Sequence, residues 1–600
     1  MRLISVPEMF IKTCDKYGSS RNAVFYKSEG KYTGIDYLEL KQRAQYLTLA
    51  MMDLGLKAKD RIGIIGENRL EWLLTDFAIG MLGAVIVPVF PTLSAKQEEY
   101  IYSDCEASAI FVTNNFQLQK VLEFKNNLPS LRHVIVMADE FNTTDLSVKS
   151  MKSLIERGKT MMNDDEREKH ILDNISRIDL EDLSSLIYTS GTTGDPKGVM
   201  LSHSNIFSNM LDSCEAVKFN EADLFLSYLP WCHSYERMVV YSSFWSGSQI
   251  AIAESIETVA SNINELKPTL VTTVPRLLEI VKKRVSQAME KESAAKQKIF
   301  NWALKVGNEY ITKKYESKPS FMLTNQYKIA NKLVFSKVRE KLGGRGFRFV
   351  AGGAALNEEV WKFFQSAGFN VLCGYGLTEA SPVVAVTEEA SFEFGTVGKY
   401  LSHFEHKIAE DGEILLRGPS VMKGYWGDEH ATRGAIDEDG WLYTGDIGEM
   451  TAKGNLKITD RKKYLIVTSS GKNIAPQPIE QLLCQSAYID QCFLLGDQRE
   501  FCTALITPDF EALKKLADNF GIKYSSETEL IANDKIVRTI KNDIDNLQKD
   551  LAKYERVRKF SLLSKPFSVE NGELTPKLSI KRHIVERNYS YLIEDMYNVS

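Results

Sequence analysis

Paired cysteines are missing from this chain. Its eight cysteines, Cys14, Cys105, Cys214, Cys232, Cys373, Cys484, Cys492 and Cys502, are scattered. None forms a Cys-x-x-Cys pair or stands near a histidine cluster at zinc spacing, which excludes a zinc ribbon and a disulfide framework and points to reduced thiols. An uninterrupted apolar run long enough to span a bilayer is missing too. From Met1 to Tyr26 the charged residues Arg2, Glu8, Lys12, Asp15 and Lys16 interrupt the apolar ones, so no signal-peptide core is expected there. Repeats and Pro/Gly/Ser-rich stretches are also lacking, and 44% hydrophobic with 26% charged residues is the composition of folded domains. The expected place is the cytoplasm, with any membrane contact peripheral and at the inner face.

What is present is length and an uneven charge. At 600 residues the chain is expected to form at least two compact units. Residues 282–341 hold fifteen Lys/Arg against five Asp/Glu, a local +10 in a chain of net charge −5. A helical insertion with a solvated basic face is the favoured reading, and attraction to an anionic membrane surface is the alternative.

Short β-branched runs recur between helical patterns: Arg61-Ile-Gly-Ile-Ile65, Ala84-Val-Ile-Val-Pro-Val89, Ala109-Ile-Phe-Val112, His133-Val-Ile-Val-Met137, Gln249-Ile-Ala-Ile-Ala253 and Thr269-Leu-Val-Thr-Thr-Val274. Buried parallel strands read as continuous apolar runs, so residues up to about 400 are expected to form one large α/β unit of βα layers. From Glu405 the strands shorten, and Asp411-Gly412 between His406-Lys-Ile408 and Glu413-Ile-Leu-Leu416 signals a hairpin in a small β-rich subdomain, about 400–460. Further on, Ile536, Ile540, Ile544, Leu547, Leu551 and Tyr554 at helical spacing predict one long helix with a buried stripe.

The most informative segment is Ser185-Leu-Ile-Tyr-Thr-Ser-Gly-Thr-Thr-Gly-Asp-Pro-Lys-Gly-Val199. An apolar run opens into a loop suited to phosphate. Gly191 and Gly194 let backbone N–H groups turn inward, Thr189, Ser190, Thr192 and Thr193 add hydroxyl donors, and Lys197 adds a positive charge. It is not a Walker loop, since Pro196 precedes the lysine and Gly198 follows it. Gly374-Tyr-Gly-Leu-Thr-Glu379 has Glu where a dinucleotide fingerprint needs its third glycine, which argues against a nicotinamide or flavin site.

The loop resembles the signature of the acyl-adenylate-forming superfamily, and further motifs follow in that superfamily's order: Leu229-Pro-Trp-Cys-His-Ser-Tyr-Glu-Arg237, Val274-Pro-Arg276, Ala351-Gly-Gly-Ala-Ala355, Gly374-Tyr-Gly-Leu-Thr-Glu379, Tyr443-Thr-Gly-Asp446, Thr459-Asp-Arg-Lys-Lys463 and Ser469-Ser-Gly-Lys-Asn-Ile-Ala-Pro476. The insertion after Val-Pro-Arg, the His-x-x-Glu-Arg pattern and Gly-Lys-Asn-Ile-Ala-Pro make the chain similar to the long-chain fatty acyl-CoA synthetases. That resemblance implies an α/β fold: a large N-terminal domain over 1–462, carrying the insertion 282–341 and the β-rich subdomain, then a small mobile α+β C-terminal domain over 463–600. The active site would lie between them. It also implies ATP, Mg²⁺ and coenzyme A as cofactor and co-substrates, a fatty acid as substrate, and no nucleic acid partner.

Residue roles follow from the same resemblance. Mg²⁺ is placed near Thr189 and Glu379, whose hydroxyl and carboxylate are hard donors suited to a cation that keeps waters and nucleotide phosphates in its shell. Gly353, Ala354, Gly374, Tyr375, Gly376 and Thr378 line up with the segments around the nucleotide. Asp446 matches the ribose-binding aspartate, and Arg461 the arginine that supports ribose and phosphates. His233 matches the histidine that shields and orients the carboxylate between half-reactions, and Trp231, Tyr235 and Arg237 would border the acyl entrance. Ser470, Gly471 and Lys472 resemble the pantetheine path, and Lys463 the hinge.

One departure stands out. Long-chain members read Leu-Thr-Pro-Thr-Leu-Lys where this chain has Leu574-Thr-Pro-Lys-Leu-Ser-Ile-Lys-Arg582, so Ser579 occupies the place of the adenylation lysine, with Lys577 and Lys581 two residues to either side. Either could substitute on extended backbone, where residues two apart share a face. Asp460 also stands where many relatives have Gly. Two other functions compete: an acyl-AMP ligase that loads a carrier protein, and a catalytically impaired acyl- or nucleotide-binding relative, motivated by Ser579.

Overall fold

The computed structural model describes residues 3–189, 195–344, 346–469, 472–568, 570–574 and 580–598. The chain divides into two units. The first comprises 1–407, 415–444 and 450–457; the second comprises 408–414, 445–449 and 458–600. Among the described residues no helix is long and apolar enough to cross a membrane.

Two layered sheets build the first unit. A seven-stranded sheet runs Val148–Ser150, His133–Val136, Ala109–Val112, Arg61–Ile65, Val85–Val89, Leu183–Thr189 and Lys197–Ser202 in spatial order, parallel throughout except for its last pair. Every residue of Val85–Val89 and Ala109–Val112 is buried. That is why these strands read as continuous apolar runs: helices cover both faces.

The nine-stranded sheet places Asn370–Gly376, Arg348–Ala351, Leu270–Thr273, Leu224–Ser227, Gln249–Ile252 and Asn22–Ser28 side by side and parallel, with antiparallel strands only at its edges. The basic stretch folds as the helices Pro275–Glu290, Ala294–Glu316, Phe321–Ala330 and Ser336–Lys341, the last two joined by the π-helical turn Asn331–Phe335. Phe300, Ala303 and Val306 of the second helix share a buried cluster with Phe349, Trp361 and Val371. Gly307 permits that close packing, because a Cβ there would meet the Phe335 ring at 2.7 Å and the Ser366 side chain at 2.8 Å.

Four short strands, Glu405–Ile408, Glu413–Arg417, Leu442–Met450 and Leu456–Arg461, carry the change of grammar seen in the sequence. Gly412 turns the first pair at φ +84°, donating its N–H to the Ala409 carbonyl.

The second unit has its own core around the strands Ile489–Leu495, Cys502–Pro508 and Val557–Leu562. Its helix Asp534–Leu547 buries Ile536, Ile540 and Ile544 as expected from their spacing, but it stops short of Leu551 and Tyr554. Gln548 ends it: its side-chain amide donates to the Val557 carbonyl and accepts from the Val557 N–H, drawing the chain back toward the sheet.

Candidate active site

Four of the sequence motifs leave the same edge of the nine-stranded sheet. Leu224–Ser227 leads into the segment that holds His233, Leu270–Thr273 into Val274-Pro-Arg276, Arg348–Ala351 into Gly352 and Gly353, and Asn370–Gly376 into Thr378 and Glu379. These strands are neighbours and parallel, so all four motifs stand at carboxyl ends, where open α/β sheets take their ligands. Gly376 is needed for its turn: a Cβ would lie 2.1 Å from the Pro382 carbonyl oxygen. That turn stations Thr378 and Glu379 between two paired strands. Gly353 takes φ +83° beyond its strand, followed by Ala354, while Gly374 and Tyr375 pair with Val386 and Ala385.

His233 caps the helix Ser234–Ser246, its Nδ1 accepting the Tyr235 N–H at 3.1 Å. An Nδ1 used as an acceptor leaves the ring proton of the neutral imidazole on Nε2. Beside it, Ser234 Oγ lies 3.3 Å from Thr378 Oγ1, so the histidine and glutamate motifs meet.

The arms of the glycine-rich loop come from the other sheet, with Thr189 paired to Lys197 across an antiparallel ladder. A strap over residues 418–428 joins these arms to Glu379. Met200 donates to the Gly424 carbonyl, Lys423 to Met200, Trp426 to Gly198 and Met422 to Glu379. The Tyr425 hydroxyl then donates to Glu379 Oε1 at 3.0 Å, and its ring lies 5.3 Å from Lys197 Nζ, which is also 3.8 Å from Asp428 Oδ2. Two asparagines on the helix His203–Val217 fasten the strap and the turn: Asn205 donates to Pro419 and Val421, and Asn209 to Ala380 and Val383. His403 bridges Asp212 and Ser420 nearby, a serine–histidine–aspartate chain in which Ser420 is wholly buried and so serves as a fastening rather than a nucleophile. Tyr425 and Asp428 carry little mark of this role in the sequence. Their only signal there is a Gly-Tyr-Trp-Gly run, with nothing to tie it to Lys197.

Trp231 and Arg237, expected at an acyl entrance, lie inside the first unit. Trp231 is buried edge-on against Trp72 and donates its indole N–H to Ser227. Arg237 is committed to Asp76 at 2.8 Å and to the Tyr241 hydroxyl, with both charged side chains buried. Tyr235 is half-buried over Gly352, and its hydroxyl donates to Val350. A buried charge needs its partner more than a substrate channel needs a charge, which is why the arginine turns inward.

Next to Arg237, Glu236 is fully buried and takes hydrogen bonds from Ser227 and Thr272 at the ends of two adjacent strands. Burial pushes its carboxyl up from the ordinary 4.5 to about 7. The folded chain therefore keeps a proton that the unfolded chain releases, and stability falls as pH rises from about 4.5 to 7. Replacing Glu236 with glutamine should flatten this part of the stability profile, measured as melting temperature between pH 5 and 7.5. A variant with the wild-type slope would show that Glu236 does not titrate in that window.

In the second unit Asp446 is buried and paired with Arg461 Nε at 2.9 Å, directly after Gly445 at φ +69°. Asp460 is buried as well; it accepts the N–H of Arg461 and of Gln477, and burial raises its carboxyl to about 6. The aspartate thus fastens the strand end at Arg461 to the helix Pro476–Leu483, a tie that glycine could not make. Lys463 sets its ammonium 4.7 Å from the Tyr464 ring, and Lys472 lies 5.9 Å from that of Tyr554. Lys581 donates its N–H to Glu573 and heads the helix Arg582–Asn588, which Arg582 anchors to Glu480 at 2.8 Å. Ser190, Gly191, Thr192, Thr193, Gly194, Ser470, Gly471, Lys577 and Ser579 lie outside the described residues.

No group of three or more His, Cys, Asp or Glu able to hold a metal occurs among the described residues. Thr189 and Glu379 instead supply oxygen donors of the kind that suits Mg²⁺ when nucleotide phosphates and water complete the shell.

The model of the AMP-binding enzyme family matches residues 10–426, and that of the AMP-binding enzyme C-terminal domain matches 463–600. The chain is 32% identical over 573 residues to long-chain-fatty-acid–CoA ligase FadD15 of Mycobacterium tuberculosis, covering 95% of this chain and 93% of that protein. It is 34% identical over 603 residues to long-chain-fatty-acid–CoA ligase 5 of Rattus norvegicus, covering 96% and 85%. In fold it is similar to the adenylation domain of a carboxylate reductase from Mycobacterium chelonae, with TM-score 0.77, 22% identity and coverage of 99% and 91%.

Proposed function

The chain belongs to the AMP-binding enzyme family, and from that premise we propose that it is an acid–thiol ligase that converts a long-chain fatty acid to its coenzyme A thioester with ATP. One observation carries the reading at the site: Thr189, Lys197, Tyr425 and Glu379 form one connected set of hydroxyl, cation and carboxylate beside the strand ends that bear His233 and Gly353. The named ligases of similar length and substantial identity support the same activity.

In the first half-reaction a carboxylate oxygen of the fatty acid attacks the α-phosphorus of ATP, and the bond to pyrophosphate breaks. Both reactants are anions, so the site must offset charge. Lys197 would offset charge on the phosphates; Thr189 and Glu379 would hold Mg²⁺, which neutralises developing phosphate charge when bound. Gly353, Ala354, Gly374 and Tyr375 surround the base, Gly376 and Thr378 complete the nucleotide site, and Asp446 with Arg461 takes the ribose. His233 orients the carboxylate. In the second half-reaction the thiol sulfur of coenzyme A, running along Ser470, Gly471 and Lys472, attacks the acyl carbonyl, its proton is lost and AMP departs. The domain over 463–600 moves about Lys463 between the two steps. The same reading keeps the cytoplasm as the expected place, and of the two readings of the basic stretch it takes up the alternative one, peripheral contact with an anionic membrane, because a long-chain fatty acid partitions into bilayers.

The test is to supply Mg-ATP, palmitate and coenzyme A and to follow pyrophosphate and acyl-CoA together. Acyl-CoA formation is expected, with either Lys577→Ala or Lys581→Ala losing pyrophosphate release by about ten- to a hundredfold, the worth of one charged hydrogen bond. Should the natural protein release no pyrophosphate with any of a series of fatty acids while Ser579→Lys does, the chain is an impaired binding relative and the ligase reading falls.

A further inference from the structure

Large apolar side chains are left in water along one helical stretch of the first unit. The helix Phe321–Ala330 continues through the turn Asn331–Phe335 into Ser336–Lys341, and its inner side is accounted for by Leu323, Ala330, Val334, Phe335 and Val338 in the buried core. On the outer side Phe321 is 84% exposed, Met322 72%, Ile329 53% and Leu333 44%. Met322, Ile329 and Leu333 follow one another at i, i+7 and i+11, a spacing that lines them along one face. Single exposed apolar residues are ordinary, but a continuous row of this kind marks a surface that meets something.

Charge says what it meets. Lys328, Lys332 and Lys337 are exposed along the same helix, and residues 321–341 carry five Lys/Arg to one acid, within a stretch of local charge +10. A second copy docking through this face would set like charges together. An anionic bilayer satisfies both features, with acyl chains for the apolar row and headgroup phosphates for the lysines. Ser320 already caps the helix, its side chain accepting the Leu323 N–H, so docking needs no ordering of the backbone.

We infer that the helix 321–341 is a docking surface for an anionic phospholipid bilayer, with Phe321, Met322, Ile329 and Leu333 inserted at the level of the upper acyl chains and Lys328, Lys332 and Lys337 against the headgroups. The inference rests on the membrane contact in the reading above and gives it a location. The bilayer side of the interaction is independent of catalysis.

The experiment is co-sedimentation of the full chain with vesicles of phosphatidylcholine alone and of phosphatidylcholine mixed with phosphatidylglycerol. Binding to the anionic vesicles only is expected, and high salt should weaken it. The combined Lys328→Glu, Lys332→Glu and Lys337→Glu variant should bind about a hundredfold more weakly, since each lysine near such a surface contributes about 1 kcal/mol. Phe321→Ser with Met322→Ser should lose roughly tenfold. Equal binding to both vesicle types, binding unchanged in the variants, or no vesicle binding with salt-sensitive capture of an acidic protein instead would overturn the inference. Acyl-CoA formation from detergent-dispersed palmitate should be the same in all variants. A chain that binds anionic vesicles through this helix yet makes no acyl-CoA would sink the ligase reading and leave the docking surface standing.

Discussion

Glu379→Gln should lower kcat/KM for pyrophosphate release by about a thousandfold while leaving the fold intact. Glutamine keeps the shape and can still accept from the Tyr425 hydroxyl, so the substitution removes one charge and little else. On the proposed reading that charge would hold Mg²⁺ against the triphosphate, and an electrostatic group of this kind is worth on the order of 10²–10³ in rate. A useful comparison is Tyr425→Phe, which leaves the ring beside Lys197 and deletes only the hydrogen bond to the carboxylate. It should cost roughly tenfold. The decisive measurement is the dependence of both variants on Mg²⁺ concentration: Glu379→Gln should need much more metal, Tyr425→Phe slightly more. If Glu379→Gln matched the natural protein at every metal concentration, the carboxylate would be a structural group and the assignment of Mg²⁺ to it would be wrong.

Arg237→Ala should destabilise the first unit by about 3–5 kcal/mol, the cost of stranding a buried partner charge. The guanidinium bonds to both Asp76 oxygens and to Tyr241, and Asp76 would keep only the tyrosine hydroxyl. Asp76 is cut off from bulk solvent, since it sits between Thr75 and Phe77 on a helix buried along nearly its whole length. Denaturant unfolding followed through tryptophan emission would register the loss, Trp72 and Trp231 being packed against one another close by. Replacing the whole cluster, Asp76→Leu and Arg237→Met with Tyr241→Phe, should recover most of it, because an apolar set of similar volume avoids the desolvation cost and strands no hydroxyl. A loss below about 1 kcal/mol for the single variant would place the pair with weak surface ion pairs instead. The effect also reaches the site, for Arg237 lies one turn into the helix whose cap is His233.

The parallel strands were legible because burial on both faces demands unbroken apolar runs, and Val85–Val89 and Ala109–Val112 meet that demand along their whole length. Order along the chain was likewise enough to name the motifs that converge on one sheet edge. What escaped were interactions whose partners are far apart in sequence. Nothing local ties Tyr425 to Glu379 or Asp428 to Lys197, and nothing in a His-x-x-Glu-Arg pattern says that its arginine will turn toward Asp76. The helix beginning at Asp534 read too long for a similar reason: its apolar spacing continues to Tyr554, but the side chain of Gln548 prefers a strand residue nine positions on.

The strap over 418–428 has a consequence for how the molecule comes into being. Its backbone bonds to Gly198 and Met200 close chain segments of more than two hundred residues, and such closure is entropically costly and slow. On a ribosome adding about 5–20 residues per second, the arms of the glycine-rich loop emerge on the order of ten seconds or more before the segment that fastens them to Glu379. Through that interval the seven-stranded sheet can already be complete, while nothing yet links Lys197 to Glu379. Competence for chemistry is therefore among the last properties the nascent chain acquires, and a chain truncated before the strap could own a folded scaffold and still have no site.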